Sequence, residues 1–192
     1  SHGAVDVQKY DIDGYVVSPY KMFSRHGYGV AWASDRLCAL GKEQLVDGPS
    51  QNWELGTRDA GSYATFSDVV DYLDWLGSNF TNSESARERL EASSVAIKLH
   101  EQELVNLALH GSENLIGLNK NEQIEIIGDL ASTSREGVVS FYFKNNPSSL
   151  MVEKLRQRKI RVHIRKDDHY CGNILRPLNK KDCIRFSICH YN

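Results

Sequence analysis

The sequence predicts a mixed α/β chain that ends in a small α+β domain. Between residues 66 and 110, apolar side chains recur at the three- and four-residue spacing of amphipathic helices. Short runs rich in Val, Ile, Tyr and Phe come before and after this stretch, and such runs favour strands. After Gly111 the predicted order is strand, strand, helix, strand, loop and strand, which indicates a helix layer packed on a sheet.

The first third of the chain alternates β-prone runs with turn-forming residues. Pro19 interrupts the first run, and the residues from there to Gly27 are too few for an ordinary helix. Ser34 directly before Asp35 is a helix-start signal. We therefore predict strands at residues 14–18 and 28–33, a loop at 19–27, a short helix ending near Gly41, and a loop at 47–61.

Two longer helices follow. Apolar residues at positions 66, 69, 70, 73 and 76 keep a helical spacing, and we expect Gly77 to end this helix. A second helix is predicted from about Ser83 to His110, without the strict a/d filling of a coiled coil. The remaining predicted elements are strands at 124–127, 138–143, 160–164 and 184–188, and a helix from Pro147 to about Arg158.

The composition is that of an ordered globular protein. The 192 residues are 41% hydrophobic and 25% charged, and 25 acidic residues against 23 basic ones leave a net charge of −2. This balance excludes a strongly basic nucleic-acid-binding chain. No apolar run approaches the roughly 18 residues of a membrane helix, and residues 1–10 have no signal-peptide pattern. We expect a cytoplasmic protein that binds neither nucleic acid nor a membrane.

The four cysteines do not form a disulfide framework. Cys38 stands alone, and the other three fall within residues 171–189 without a C-x-x-C pair. Their spacing with His169 or His190 fits no common zinc pattern, so no metal site is expected. Cys183 and Cys189 are interpreted as structural thiols.

Lys21 is the first candidate for chemistry. A lysine that follows a β-run is usually a solvated surface residue. The functional alternative is a lysine that attacks an aldehyde, which needs burial or nearby cations to keep its amine partly neutral. Arg25 and His26 lie close in sequence, and the hydroxyls of Ser18 and Tyr20 could donate hydrogen bonds to a phosphate.

Further fragments appear in order along the chain. They are Asn-Trp-Glu-Leu-Gly-Thr at 52–57, His-Tyr-Cys-Gly at 169–172, Ile-Arg-Phe-Ser at 184–187 and His-Tyr-Asn at 190–192. Together with Ser-Pro-Tyr-Lys at 18–21, this collinear set resembles the class V branch of the fold-type I pyridoxal-phosphate (PLP) enzymes. That branch includes cysteine desulfurases, selenocysteine lyases and class V aminotransferases, so the resemblance implies PLP as the cofactor.

The resemblance implies a role for each matching cofactor residue. Lys21 looks like the lysine that forms a Schiff base with the cofactor, and Ser18 and Tyr20 match positions that hold its phosphate. Many desulfurases have His at the position of Tyr20. Gly56 and Thr57 match a pair that family dimers supply to the phosphate of the neighbouring subunit, which implies a homodimer. Without the resemblance, Thr57 is a turn residue and Ser18 an ordinary hydroxyl at a strand end.

On the substrate side, Arg185 matches the arginine that binds the substrate carboxylate, a task that suits the planar guanidinium fork. Without the resemblance it is a surface charge on a strand. Cys171 matches the cysteine that takes sulfur from the substrate in desulfurases. The neighbouring Asp167 and Asp168 would oppose a thiolate there, and the loop at 163–171 is longer than expected for a desulfurase.

The resemblance also implies a domain division. Residues 1–60 would end the PLP-binding large domain, 61–112 would form a helical connection, and 113–192 would form the small C-terminal α+β domain. The residues that contact the cofactor ring in the family lie upstream of Val5, so the 192-residue piece alone is expected to be inactive.

The expected function is a PLP-dependent enzyme acting on an amino acid, most simply a cysteine desulfurase that transfers sulfur from L-cysteine to Cys171 and leaves alanine. Whether the sulfur then passes to a sulfur-acceptor protein is not determined by the sequence. One alternative is a class V aminotransferase or another PLP lyase in which Cys171 is structural. A second alternative is a truncated, non-catalytic module. The substrate itself is not determined by the sequence.

Overall fold

The computed structural model describes residues 5–49, 52–53, 55–57, 59–132 and 135–192. The chain divides into two compact units within a long helix, the first ending at Ala96 and the second running from Ile97 to Asn192. Each unit is described by itself.

The first unit begins with a two-stranded antiparallel sheet. Strand β1 (Gly14–Val17) pairs with β2 (Val30–Ala33). A 3-10 turn, Pro19–Met22, lies between them in sequence, where a loop was predicted. Proline at the start of this turn fixes a helical φ and lacks the N–H that a turn leaves unpaired. Helix α1 (Asp35–Cys38) begins at Ser34, whose side chain accepts a hydrogen bond from the Leu37 backbone as predicted.

Helix α2 (Ala60–Ser78) and helix α3 (Ala86–His110) confirm the two predicted long helices. The expectation that Gly77 ends the first of them is wrong, because α2 continues through this residue. A Cβ atom at Gly77 would lie 1.8 Å from the backbone oxygen of Arg89. The glycine is therefore required by the close approach of the two helices and not by a helix stop.

The second unit is built on a four-stranded antiparallel sheet. A short hairpin of β3 (Gly111–Ser112) and β4 (Leu115–Ile116) precedes it. The order of its strands is β5-β6-β8-β7. They are β5 (Ile124–Ile127), β6 (Val138–Phe143), β7 (His163–Lys166) and β8 (Asp182–Ser187), accompanied by helices α4 (Ser148–Gln157) and α5 (Gly172–Leu175).

Alternation along the strands divides this sheet into two faces. One face carries the larger core, in which Val105 and Leu109 of α3 pack with Val139, Phe141 and Ile184. The opposite face carries a smaller cluster of Tyr142, Leu175 and Cys183, against which Cys171 packs. We call the latter the cysteine face of the sheet.

Strand β7 begins later than predicted. The residues after α4 form its C-terminal motif, with Lys159 in the left-handed region at φ 62° and the Ile160 amide donating to the Leu155 carbonyl. Extended pairing therefore starts only at His163, so β7 shares residues 163–164 with the predicted strand and continues to Lys166, into the predicted loop. The hairpin after Gly111 and helix α5 were not predicted.

The mixed α/β fold class is confirmed. Within the described part of the chain, no helix combines the length and the apolar character that a membrane crossing requires.

Candidate functional site

Lys21 lies in the exposed 3-10 turn between β1 and β2. Its backbone amide donates to the Ser18 carbonyl at 3.0 Å, which closes the turn. Its ammonium lies 5.7 Å from the centre of the Tyr20 ring. Among the described residues no carboxylate pairs with Lys21, so the amine is presented on a fixed backbone without a charged partner.

The side-chain hydroxyls of Ser18 and Tyr20, next to Lys21, are also available to a ligand. Ser18 precedes the turn, but its side chain makes no capping hydrogen bond there. The Tyr20 ring stacks on His26 with centroids 4.1 Å apart, and this contact orients the phenol. Neither hydroxyl has a hydrogen-bond partner within the part of the chain that the structure describes. The turn thus places one amine and two hydroxyl donors side by side.

Phe23 closes this turn in a conformation that non-glycine residues seldom adopt. Its φ is 71°, and its backbone amide donates to the Pro19 carbonyl. Pro19 itself is buried. Next to the turn, the Ser24 hydroxyl bonds to Tyr28 and, at 2.7 Å, to Thr65 of α2. These contacts hold the backbone next to Lys21 against helix α2 of the first unit.

Gly56 and Thr57 lie exposed in the loop before α2. A Cβ atom on Gly56 would meet nothing within 4 Å. The loop leads to Asp59, which begins α2 by accepting hydrogen bonds from the backbone and hydroxyl of Ser62. These bonds, with the Arg25 guanidinium as a further contributor, hold the pKa of Asp59 below its usual value. Both predicted residues are thus on a surface, in the same unit as Lys21.

Cys171 lies in the second unit, on the turn between β7 and α5. The Asp168 carboxylate accepts hydrogen bonds from the backbone amides of Tyr170 at 2.9 Å and of Cys171 at 3.1 Å. These two bonds lower the pKa of Asp168. Asp167 pairs with Arg176, with the Nε and Oδ1 atoms 2.6 Å apart. The two aspartates that were expected to oppose a thiolate are therefore engaged in building the turn that carries Cys171.

The side chain of Cys171 is half-buried and belongs to the cluster on the cysteine face. Cys183 in the same cluster is 4% exposed. Burial raises the pKa of the Cys183 thiol, with smaller contributions from Cys171 and Asp182. Cys183 is thus a packed, neutral thiol, as predicted, whereas the half-buried Cys171 can still be reached from solvent.

Arg185 lies in the middle of β8, opposite Ser140 of β6 and His163 of β7. Its side chain projects from the cysteine face, because the residues on either side of it, Ile184 and Phe186, belong to the larger core. Its Nε atom is buried without a hydrogen-bond partner among the described residues. A buried guanidinium N–H without an acceptor fits a residue whose partner is a ligand anion.

Ser140 and His163 were not singled out from the sequence. Each borders Arg185 only because of the strand order, which is not sequential along the chain. The two-residue alternation within each strand indicates the face on which a residue lies, but not which strand will be its neighbour.

The available groups fit pyridoxal phosphate. Ser18, Tyr20 and Lys21 combine an unpaired amine with two unpartnered hydroxyls, which suits an aldehyde and a phosphate. They belong to the first unit, whereas Cys171 and Arg185 belong to the second.

The family model described as Aminotransferase class-V matches residues 1–192. Among curated proteins, none matches this chain.

Solved structures of cysteine desulfurases share the fold. The cysteine desulfurase CsdA (S-sulfonic acid) from Escherichia coli is 22% identical, with a TM-score of 0.67 over 100% of this chain and 45% of that one. The apo cysteine desulfurase from Thermococcus onnurineus NA1 is 20% identical, with a TM-score of 0.73 over 100% of this chain and 46% of that one.

A C-DES mutant with glycine covalently linked to its PLP cofactor is 16% identical, with a TM-score of 0.56 over 99% of this chain and 44% of that one. The chain therefore spans less than half the length of each of these three structures.

Proposed function

Because the chain belongs to the aminotransferase class-V family, we propose that it carries the cofactor lysine and the substrate arginine of a PLP-dependent enzyme acting on an amino acid. The family match and the neighbour with a PLP-linked glycine support pyridoxal phosphate as the cofactor. The observation that carries the proposal is the exposed turn on which Lys21 stands beside two unpartnered hydroxyls.

Each of these residues has a proposed role that follows from its chemistry. When bound, PLP supplies an electron-withdrawing ring. Lys21 would hold the cofactor through its amine until the substrate amine displaces it, and the freed Lys21 amine would then move a proton at the α-carbon of the substrate as base and acid. The hydroxyls of Ser18 and Tyr20 donate to the phosphate, and Arg185 donates two N–H groups to the substrate carboxylate.

Gly56 and Thr57 have a different partner in this proposal. Both are exposed in their loop, which leaves them accessible to a second copy of the chain. They would donate to the phosphate held by the neighbouring subunit, so the enzyme would be a homodimer.

The finer proposal is cysteine desulfuration. The Cys171 thiolate would attack the sulfur of substrate cysteine, forming an S–S bond as the Cβ–S bond of the substrate breaks. The electron pair of the broken bond stays with the β-carbon, which takes a proton, so the products are a persulfide on Cys171 and alanine. The half-buried position of Cys171 on a turn supports this role, because a sulfur acceptor must be reached by both substrate and a subsequent acceptor protein.

A class V aminotransferase or lyase is the second candidate. It is favoured by the packing of Cys171 against the cluster of Tyr142, Leu175 and Cys183. In that case the thiol is a structural residue, and the reaction needs only Lys21 and Arg185.

The test uses the full-length polypeptide with PLP. Borohydride reduction and peptide mapping should find the cofactor on Lys21, and Lys21→Ala should lose it. Lys9→Ala is the matched control, since the Lys9 ammonium also lies 5.7 Å from a neighbouring tyrosine ring, that of Tyr10. Cofactor on another lysine would refute the role of Lys21.

Sulfide and alanine formation from L-cysteine then separates the two candidates. A desulfurase should lose sulfide formation in Cys171→Ser and retain it in Cys38→Ser, where the thiol is also half-buried. Cofactor binding without sulfide in the parent protein would leave the aminotransferase or lyase.

A further inference from the structure

Arg165 lies on the cysteine face of the sheet, next to the thiols. It pairs with Cys183 across β7 and β8, and directly opposite residues in an antiparallel pair project from the same face. Cys183 in turn shares its cluster with Cys171. The strand register thus places a guanidinium stem beside the cluster that contains the proposed sulfur acceptor.

The Arg165 guanidinium has an unused donor. Its Nε atom is buried and has no hydrogen-bond partner among the described residues. Arg135 also has a partnerless buried Nε, but its guanidinium donates through Nη2 to the Asp129 carbonyl at 2.9 Å. The Arg165 guanidinium forms neither a hydrogen bond nor an ion pair with any part of the chain that the structure describes. A buried charged donor without an acceptor is costly, so an anion at this position would stabilise it.

Two carboxylates of the Cys171 turn are already engaged, and Asp182 beside Cys183 lies opposite Lys166 on the other face of the sheet. Asp168 accepts from two backbone amides, and Asp167 pairs with Arg176. Glu125, on the far side of the cysteine face, accepts from the Tyr142 hydroxyl.

Tyr142 and Cys183 share the cluster against which Cys171 packs, and both are buried. His163 and Arg185 lie on the same face of the sheet, and the Lys180 ammonium lies 4.2 Å from the centre of the Tyr142 ring. The His169 ring is tilted against that of Tyr170, with centroids 4.0 Å apart.

Arg165 acts electrostatically on the two residues that contact Cys171. Burial dominates the raised pKa of Cys183, and backbone hydrogen bonds dominate the lowered pKa of Asp168; the Arg165 charge is a smaller contribution that favours the ionised form of each. Asp168 holds the Cys171 backbone amide, and Cys183 shares the cluster of its side chain. The strand register therefore places the Arg165 charge on the face of the sheet on which Cys171 packs.

We propose that Arg165 is a positioning residue that stabilises the negative charge on the sulfur of Cys171, both as the thiolate that attacks and as the persulfide that results. The inference rests on the proposed role of Cys171. It adds a residue that prepares the acceptor, while Arg185 holds the substrate.

The test measures the thiol directly and needs no turnover. The rate of Cys171 alkylation by iodoacetamide is followed by peptide mapping from pH 6 to pH 10 in the full-length protein. In Arg165→Gln the rate near neutral pH should fall by about three- to tenfold, because the loss of a nearby positive charge lowers the thiolate fraction. The plateau rate at high pH should stay unchanged, since the thiolate itself is equally reactive.

Arg165→Lys keeps the charge and should restore much of the rate. Arg161→Gln is the matched control, because Arg161 is exposed and precedes β7. High salt should lower the parental rate towards that of Arg165→Gln. If Arg165→Gln does not fold, the alkylation rate of Arg165→Lys and the salt dependence of the parental rate test the proposal instead.

Two outcomes would overturn the proposal: an unchanged profile in Arg165→Gln, or a rate lowered equally at every pH, which is the mark of altered access. Failure of the desulfurase proposal looks different. In that case the alkylation profile depends on Arg165 but no sulfide is formed from L-cysteine.

Discussion

The turn that carries Lys21 and the sheet that carries Arg185 are supported in different ways. Lys21 stands between two strands of four residues each, and Val16 on the first of them is 73% exposed. Arg185 stands on a central strand whose neighbour Ile184 is fully buried. A two-stranded sheet alone is only marginally stable, whereas a multi-stranded sheet with a packed helix layer supports itself.

This difference determines how precisely each side chain is held. The position of Arg185 follows from pairing on both edges of β8 and from the core beneath it. The position of Lys21 follows from its own turn and from the bonds of Ser24 to Tyr28 and Thr65. Mutations in the C-terminal sheet should therefore change global stability, while those around the lysine turn should act locally.

The sharpest test of this contrast is a pair of truncations. Ile184→Ala removes a fully buried side chain between α3 and α4 and should cost about 2–5 kcal/mol of unfolding free energy. Val16→Ala removes an exposed one and should stay within about 0.5 kcal/mol. Urea denaturation followed by circular dichroism gives both values. Equal losses in the two variants would contradict the comparison.

A second variant tests whether the first unit also has a tightly packed part. Gly77→Ala places a Cβ atom against the backbone of Arg89 and should cost about 1–3 kcal/mol, as expected for overpacking. Gly41→Ala is the control, because an added Cβ there meets nothing within 4 Å. A Gly77→Ala protein as stable as the control would show that α2 and α3 can separate without cost.

Much of the fold could be predicted because most elements follow a local pattern. The helical spacing in α2 and α3 and the apolar runs of β5 and β6 are visible without any knowledge of neighbours. The prediction that Gly77 ends α2 was wrong because a glycine that ends a helix and one that permits a close approach of two helices look the same in sequence. Strand β7 begins three residues later than predicted because the turn at Lys159 extends the C-terminal end of α4.

The residues of the candidate site also differ in whether a local sequence pattern could predict their grouping. The Ser-Pro-Tyr-Lys turn is contiguous, so its residues could be grouped from the sequence. The cysteine face is assembled from β6, β7 and β8, whose order in the sheet is not their order in the chain. The proximity of Arg165 to Cys183, and of His163 to Arg185, depends on that pairing and could not be predicted from spacing.

The smallest expected effect concerns Tyr142, which is one of the three buried residues in the cluster on the cysteine face. Burial, helped by the hydrogen bond to Glu125, raises the pKa of Tyr142 to about 12. Since the pKa is higher in the folded protein than in the unfolded one, the stabilisation is fully present below about pH 10 and is lost as the pH rises towards 12.

Tyr142→Phe should abolish this part of the pH dependence, so its stability should fall less steeply than that of the parent above pH 10. Tyr10→Phe is the control, because Tyr10 is 65% exposed. Urea midpoints at successive pH values give the slopes. Equal slopes for parent and Tyr142→Phe would mean that the phenol ionises as readily in the folded protein as in the unfolded chain. The cysteine face would then be open to water, and Arg165 could not act there through a charge shielded from solvent.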